Sequence, residues 1–181
     1  MQFLKAGLLF LVIMRIAIST RRLSSGDFEN FSWEGKPFAA HFWRAKRKIK
    51  GLTVRVPISD KLRFVLRRET GFDRIARSLG IASEWQTGDI GFDQKVFILS
   101  EDVSFNQALT RDRELRELSS TLLASPKSPR IECRAGMLYL GFATDELDDD
   151  DGTEKVSQRF AVQLGQLVKL RDGLQRIRAQ S

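Results

Sequence analysis

The sequence predicts an α+β domain with a mostly antiparallel sheet and packed helices, preceded by one N-terminal transmembrane helix. Three observations carry this prediction. Apolar and polar residues alternate with period two in several short segments of the first half. Leucine-rich segments at helical spacing dominate the second half. A nearly continuous apolar run opens the chain. The 181 residues, 42% of them apolar, suffice for one domain with a true core and hardly for two.

Residues 3–18 read FLKAGLLFLVIMRIAI and are unbroken in apolar character from Ala6 to Met14, between Lys5 and Arg15. As a helix, sixteen residues reach about 24 Å, short of the roughly 30 Å hydrocarbon core. A single span therefore relies on Lys5 and Arg15 reaching back to the headgroups and on local thinning of the bilayer. A signal peptide ending near Ala17-Ile18-Ser19, an amphipathic surface helix and a buried soluble helix are the alternatives. Only Lys5 precedes the run, whereas Arg15, Arg21 and Arg22 end or follow it. The positive-inside rule then puts the C-terminal bulk in the cytoplasm; export after cleavage is the alternative. Residues 1–22 form the membrane segment in this reading, residues 23–36 a linker, and residues 37–181 one domain.

Ser24–Gly35 is polar and reads as loop. Pro37–Trp43 and Ile49–Pro57 read as strands, the second alternating Leu52, Val54, Val56 against Thr53, Arg55. Leu62, Phe64 and Leu66 alternate with Arg63, Val65 and Arg67 as a third strand, which predicts an antiparallel meander. Phe38 and Phe42 are expected in the core, while Phe31 and Trp33 stand open between core and lipid boundary. Thr70 and Asp73 have the spacing of a capping box, and Phe72, Ile75 and Leu79 predict the buried face of a helix ending at Gly80. Ile81–Gln86 reads as extended, Thr87-Gly88-Asp89 as a turn, and Val96–Leu99 as a strand buried on both faces. Helices are predicted at Val103–Leu109 and Arg111–Ala124, then a hairpin of Ile131–Arg134 and Met137–Phe142 across Ala135-Gly136. Asp145–Asp151 is an acidic loop. The chain closes in a helix over Glu154–Arg178 with a seven-residue pattern: Val156, Gln163, Leu170 and Ile177 in one column, Phe160, Leu167 and Leu174 in the other. Phe160, Leu167, Leu170, Leu174 and Ile177 thus make a face for a partner helix or a second copy, or for the domain's own sheet.

Charge is divided along the chain. Residues 1–82 hold 17 Lys/Arg and 6 Asp/Glu, and residues 83–181 hold 13 and 17, for a net +7. A basic front meets anions. The cluster Arg44, Lys46, Arg47, Lys48 and Lys50 lies close behind the apolar segment and points to anionic lipid headgroups, at about 1 kcal/mol per residue near the surface. Nucleic acid is the weaker partner, because no helix-turn-helix, RRM or KH signature accompanies the basic run.

Much chemistry is excluded. Cys133 is alone, so there is no internal disulfide and no cysteine-cluster zinc site; His41 is alone, so there is no two-histidine metal motif. Cys133 reads as a core thiol and His41 as structural. There is no P-loop and no GxGxxG opening a helix. The run Leu147–Gly152 imitates an EF-hand, but Leu147 and Gln158 stand where the first and twelfth ligands belong. The remaining candidate is the block Ser83–Asp93. Its acids Glu84, Asp89 and Asp93, beside two glycines, give an alternative reading as a carboxylate-based or metal-assisted hydrolase. A turn held by Asp side chains uses the same letters and is the favoured reading. No cofactor and no resident metal are expected.

Phe64, Arg68-Glu69, Asp73, Leu79-Gly80-Ile81, Glu84, Gln86-Thr87-Gly88-Asp89, Phe92-Asp93 and Ile98 resemble a recurring pattern in uncharacterised bacterial proteins with hydrophobic membrane segments. The pattern covers about residues 62–105. The resemblance implies membrane association and one folded unit, and no catalytic residue. Together these readings favour a membrane-anchored, non-enzymatic binding or scaffolding module over a hydrolase or a nucleic-acid binder.

Overall fold

Period-two alternation in the first half and helical spacing in the second resolve into seven strands and five helices among the described residues. The computed structural model describes residues 29–33, 36–45, 48–58, 62–79, 84–124, 129–143 and 153–178. The elements are β1 (Glu29–Trp33), β2 (Lys36–Ala45), β3 (Lys48–Pro57), β4 (Phe64–Arg68), α1 (Gly71–Ser78), α2 (Ile90–Asp93), β5 (Val96–Ser100), α3 (Val103–Arg111), α4 (Arg113–Leu123), β6 (Arg130–Arg134), β7 (Met137–Ala143) and α5 (Thr153–Arg178). All strands join one sheet in the order β1-β2-β3-β7-β6-β4-β5. Every pairing is antiparallel. The fold is α+β. No described helix is long and apolar enough to cross a membrane, and the apolar segment at residues 3–18 lies outside the described residues.

Alternation decides which side chains face the core. Val54 and Val56, Phe64 and Leu66, Val96 and Ile98, Ile131 and Cys133, and Leu138 and Leu140 form one buried face, on which α3, α4 and α5 pack. Each strand pairing sets these residues in opposite rows, such as Leu66 beside Ile98 and Ile131. Asp102 and Asp112 start α3 and α4 by accepting from the amides of Phe105, and of Glu114 and Leu115. The hairpin between β6 and β7 turns through Ala135 (φ 50°) and Gly136 (φ 71°), the two positive values that a tight hairpin of matching twist requires.

The sequence expectations need four corrections. The stretch read as linker contains β1, with Phe31 set opposite Phe38. The meander is absent, because β7 and β6 insert between β3 and β4. Alternation specifies the buried face of a strand but not its neighbour.

The apolar face expected on α1 points outward, with Ile75 50% and Leu79 51% exposed. The cause is Asp73, which is buried and held by Arg67. At about 100° per residue, Asp73 and Ile75 lie on opposite sides of the helix, so burying one exposes the other. Finally, of the two readings of the apolar face on α5, packing within the chain holds and an open face for a partner helix does not. Leu167, Leu170 and Leu174 are core residues and Ile177 packs against them, while the side chain of Phe160 lies outside the described residues.

Register also fixes which loops share an end of the sheet. Gly51 pairs with Ala143, Gly141 with Arg130, Arg130 with Arg67, and Arg68 with Val96. The β2–β3 turn, the exit of β7 and the step from β4 into α1 are therefore at one end. β1 starts at Glu29, opposite Ala40 in the middle of β2, and runs away from that end.

Gly173 explains how α5 approaches α4. A Cβ there would lie 2.7 Å from Cδ2 of Leu115, itself fully buried. Alanine at 173 improves helix propensity by about 1 kcal/mol but overpacks the contact at a cost of about 1–3 kcal/mol. Gly173→Ala is expected to lower the urea midpoint in equilibrium unfolding, against its propensity.

Candidate functional site

The block singled out by its acids is a knot whose carboxylates serve the backbone. Gly88 adopts φ 85° and turns the chain so that residues 87–88 approach Asp93. One oxygen of Asp93 accepts from the Thr87 amide at 3.0 Å and the Thr87 hydroxyl at 2.8 Å; the other accepts from the Gly88 amide at 2.9 Å. Asp93 is buried. Asp89 caps α2, accepting from the Phe92 amide at 3.2 Å, and its other oxygen accepts from Nε of Arg116 at 3.1 Å. The Phe92 amide, with help from Arg116 and against some desolvation, holds the Asp89 carboxyl below the ordinary Asp value. Glu84 lies on the extended segment beside β5, where the neighbouring Trp85 amide donates to the Ile98 carbonyl at 3.3 Å.

An open cleft of about 750 Å³ lies between α2 and α4 and is lined in part by Asp89, Lys95, Arg113, Arg116 and Glu117. Of the three acids, only Asp89 lines it. Its two arginines are engaged: Arg116 also donates to the carbonyls of Leu109 and Thr110 at 2.9 and 2.7 Å, and Arg113 pairs with Glu117 at 2.7 Å. The hydrolase reading groups Glu84, Asp89 and Asp93; of these Asp89 lines the cleft and Asp93 is bonded to the amides of its own loop. Among the described residues no group of three His, Cys, Asp or Glu is assembled to hold a metal.

A second polar cluster was not anticipated. It lies on the sheet face opposite the core. Arg67 makes two 2.6 Å hydrogen bonds to Asp73, and the Thr70 amide and hydroxyl add bonds of 2.8 and 2.7 Å to the same carboxylate. Arg67 also lies over the Phe97 ring at 4.1 Å. Across β6, Glu132 meets Arg130 at 3.2 Å and Arg134 at 2.9 Å, and Arg134 lies over Tyr139. Burial holds the Arg130 guanidinium below its ordinary value, opposed by Glu132. The available signal was Arg130, Glu132 and Arg134 at period two within an otherwise apolar strand, which sets three charges on one face. Cys133, between them, is buried in the core, and His41 is half-buried on β2 opposite Thr53.

Three of the basic candidates fall on described strands. Arg44, Lys48 and Lys50 belong to β2 and β3, beyond the last β3–β7 pair at Gly51 and Ala143. The side chains of residues 42–50, all of Lys46 and Arg47, and the acidic loop Asp145–Asp151 lie outside the described residues. Comparison of the chain with family models, with curated proteins and with solved structures finds no match.

Two outcomes follow from this geometry. Asp93→Ala leaves two loop amides without their acceptor and is expected to cost about 2–3 kcal/mol in denaturant unfolding. For Asp73, burial acts to raise the carboxyl, but the bonds from Arg67 and Thr70 outweigh it and hold the pKa below the ordinary value of 3.8. A lowered folded-state pKa gives stability that is full above the unfolded value, about 3.9, and fades as pH falls through the folded value. The unfolding midpoint should therefore drop below about pH 4, and Asp73→Asn should flatten that drop.

Proposed function

We propose that the protein is a membrane-anchored, non-enzymatic binding or scaffolding module whose basic hairpin meets anionic lipid headgroups on the cytoplasmic side. One observation carries this reading. Arg44, Lys48 and Lys50 of the basic cluster fall at one end of the β2–β3 pair. An anchor linked to such a basic segment raises the effective concentration of its contact with the same surface. The resemblance of residues 62–105 to bacterial proteins with membrane segments accords with the same reading. So does the occupation of the knot's acids by local amides, which leaves the domain's conspicuous carboxylates on structural duty.

The acidic run bears on the same surface. The chain leaves β7 at Ala143, paired with Gly51, and continues into Asp145, Glu146 and Asp148–Asp151. Charges of that sign oppose binding to anionic lipid.

The test is partitioning of the intact protein onto phosphatidylcholine vesicles with and without phosphatidylglycerol. Replacing Arg44, Lys46, Arg47 and Lys48 with Gln is expected to lower binding to the anionic vesicles at least tenfold, given about 1 kcal/mol per residue, and to flatten its salt dependence. Replacing Asp148–Asp151 with Asn should raise it. Membranes carrying the tagged chain, washed in alkaline carbonate, should retain it; release of the intact chain into the wash overturns the anchor.

A further inference from the structure

We propose that the cleft between α2 and α4 binds a small organic acid that carries a hydrogen-bond donor beside its carboxylate, as hydroxy acids and amino acids do. The site stands apart from the basic hairpin and does not depend on the membrane reading.

The first ground is room of the right kind. The cleft's volume of about 750 Å³ falls within the roughly 300–1,000 Å³ of small-molecule sites. Most of its lining is polar or charged, which suits a polar ligand. Arg113, Arg116, Glu117 and Ser120 recur at helical spacing, so one face of α4 forms a continuous wall.

The second ground is an inventory of groups left over in that wall and across from it. A guanidinium has five N–H donors. Arg116 gives Nε to Asp89 and Nη1 to the carbonyls of Leu109 and Thr110, while Nη2 has no partner among the described residues. Its side chain is only 14% exposed. The guanidinium is thus held in place by bonds that leave two donors unspent, and such a group binds without first being ordered. On the α2 side, Lys95 uses its backbone N–H and C=O with Phe92 and Glu69, but its ammonium has no partner among the described residues. Oε1 of Glu117 accepts from Arg113, and Oε2 stays open.

The third ground is charge. Lys95, Arg113 and Arg116 line the cleft against Asp89 and Glu117. Arg116 pairs with Asp89 and Arg113 with Glu117, which leaves one positive charge, at Lys95. One carboxylate balances it. A phosphate monoester, with about two negative charges at neutral pH, would set a surplus charge beside Asp89 and Glu117. A neutral polyol would leave Lys95 unanswered. The ligand's carboxylate therefore takes charge-assisted bonds from Lys95 and from Nη2 of Arg116. Its neighbouring O–H or N–H donates to Oε2 of Glu117.

The experiment titrates the intact chain, in detergent micelles, by saturation-transfer NMR. The probes are D-gluconate, L-alanine, acetate, glycerol and glycerol 3-phosphate. Gluconate or alanine should saturate at millimolar concentration, about tenfold tighter than acetate, which lacks the second donor, or glycerol, which lacks the carboxylate. Which of the two binds more tightly separates a hydroxy acid from an amino acid. Lys95→Gln should weaken that binding about tenfold, and Glu117→Gln should reduce it to the level of acetate. Both positions are exposed, and a circular dichroism spectrum matching that of the parent confirms folding. Lys169→Gln, which removes the same charge from an exposed position on α5, should leave binding unchanged. Absence of saturable binding by both acids overturns the proposal. So does binding that survives Lys95→Gln or that falls as far with Lys169→Gln. Glycerol 3-phosphate binding more tightly than either acid overturns it in favour of a phosphoryl ligand.

Discussion

The bidentate bond between Arg67 and Asp73 decides how the molecule presents itself. A charged pair on a sheet is an expensive thing to bury unless its hydrogen bonds are complete. Here the carboxylate receives four, from Arg67 and Thr70, and the guanidinium also covers the Phe97 ring. Because the pair joins β4 to α1, it sets the rotation of the helix as well as its position. Ile75, on the side of α1 opposite Asp73, is thereby turned outward. One electrostatic contact, made on the far side of the sheet from the core, thus governs a surface property.

Much of the architecture could be read from residue order, because the dominant signals were local. Pro37–Trp43 and Ile49–Pro57 became β2 and β3, the Ala135-Gly136 turn became a tight hairpin, and the heptad-like leucines became α5. What could not be read was non-local. Alternation told Phe64 and Leu66 which way to face but not that Ile131 and Cys133 would lie beside them. The polar letters of residues 29–33 hid a strand whose pairing depends on backbone bonds to β2 more than on its own apolar content. Ile75 was misassigned because helical spacing was taken as burial, and the buried acid two positions earlier outweighed it. For the candidate site, Glu84, Asp89 and Asp93 were visible as a cluster, and the local-turn reading of Asp89 and Asp93 describes their bonding. Arg67, Arg130 and Glu132 are not legible as a group because their alliance crosses from β4 to β6, distant in sequence.

Acidic side chains do two different jobs in this fold. Asp89, Asp102 and Asp112 begin helices, and Asp93 closes a loop. Asp73 and Glu132 answer arginines on the sheet. Each is engaged by groups close in sequence or in an adjoining strand.

The Thr87–Asp93 knot has a consequence beyond its own loop. β5 reads Val-Phe-Ile-Leu-Ser and forms an outer margin of the sheet. The chain just before the knot lies along that margin, with the Trp85 amide on the Ile98 carbonyl and the indole on Thr110. Were the knot to loosen, a bare, uncharged ribbon would be offered to any neighbouring molecule as a template for fibrillar stacking. The aspartate that ties the loop is in this sense a safeguard of solubility.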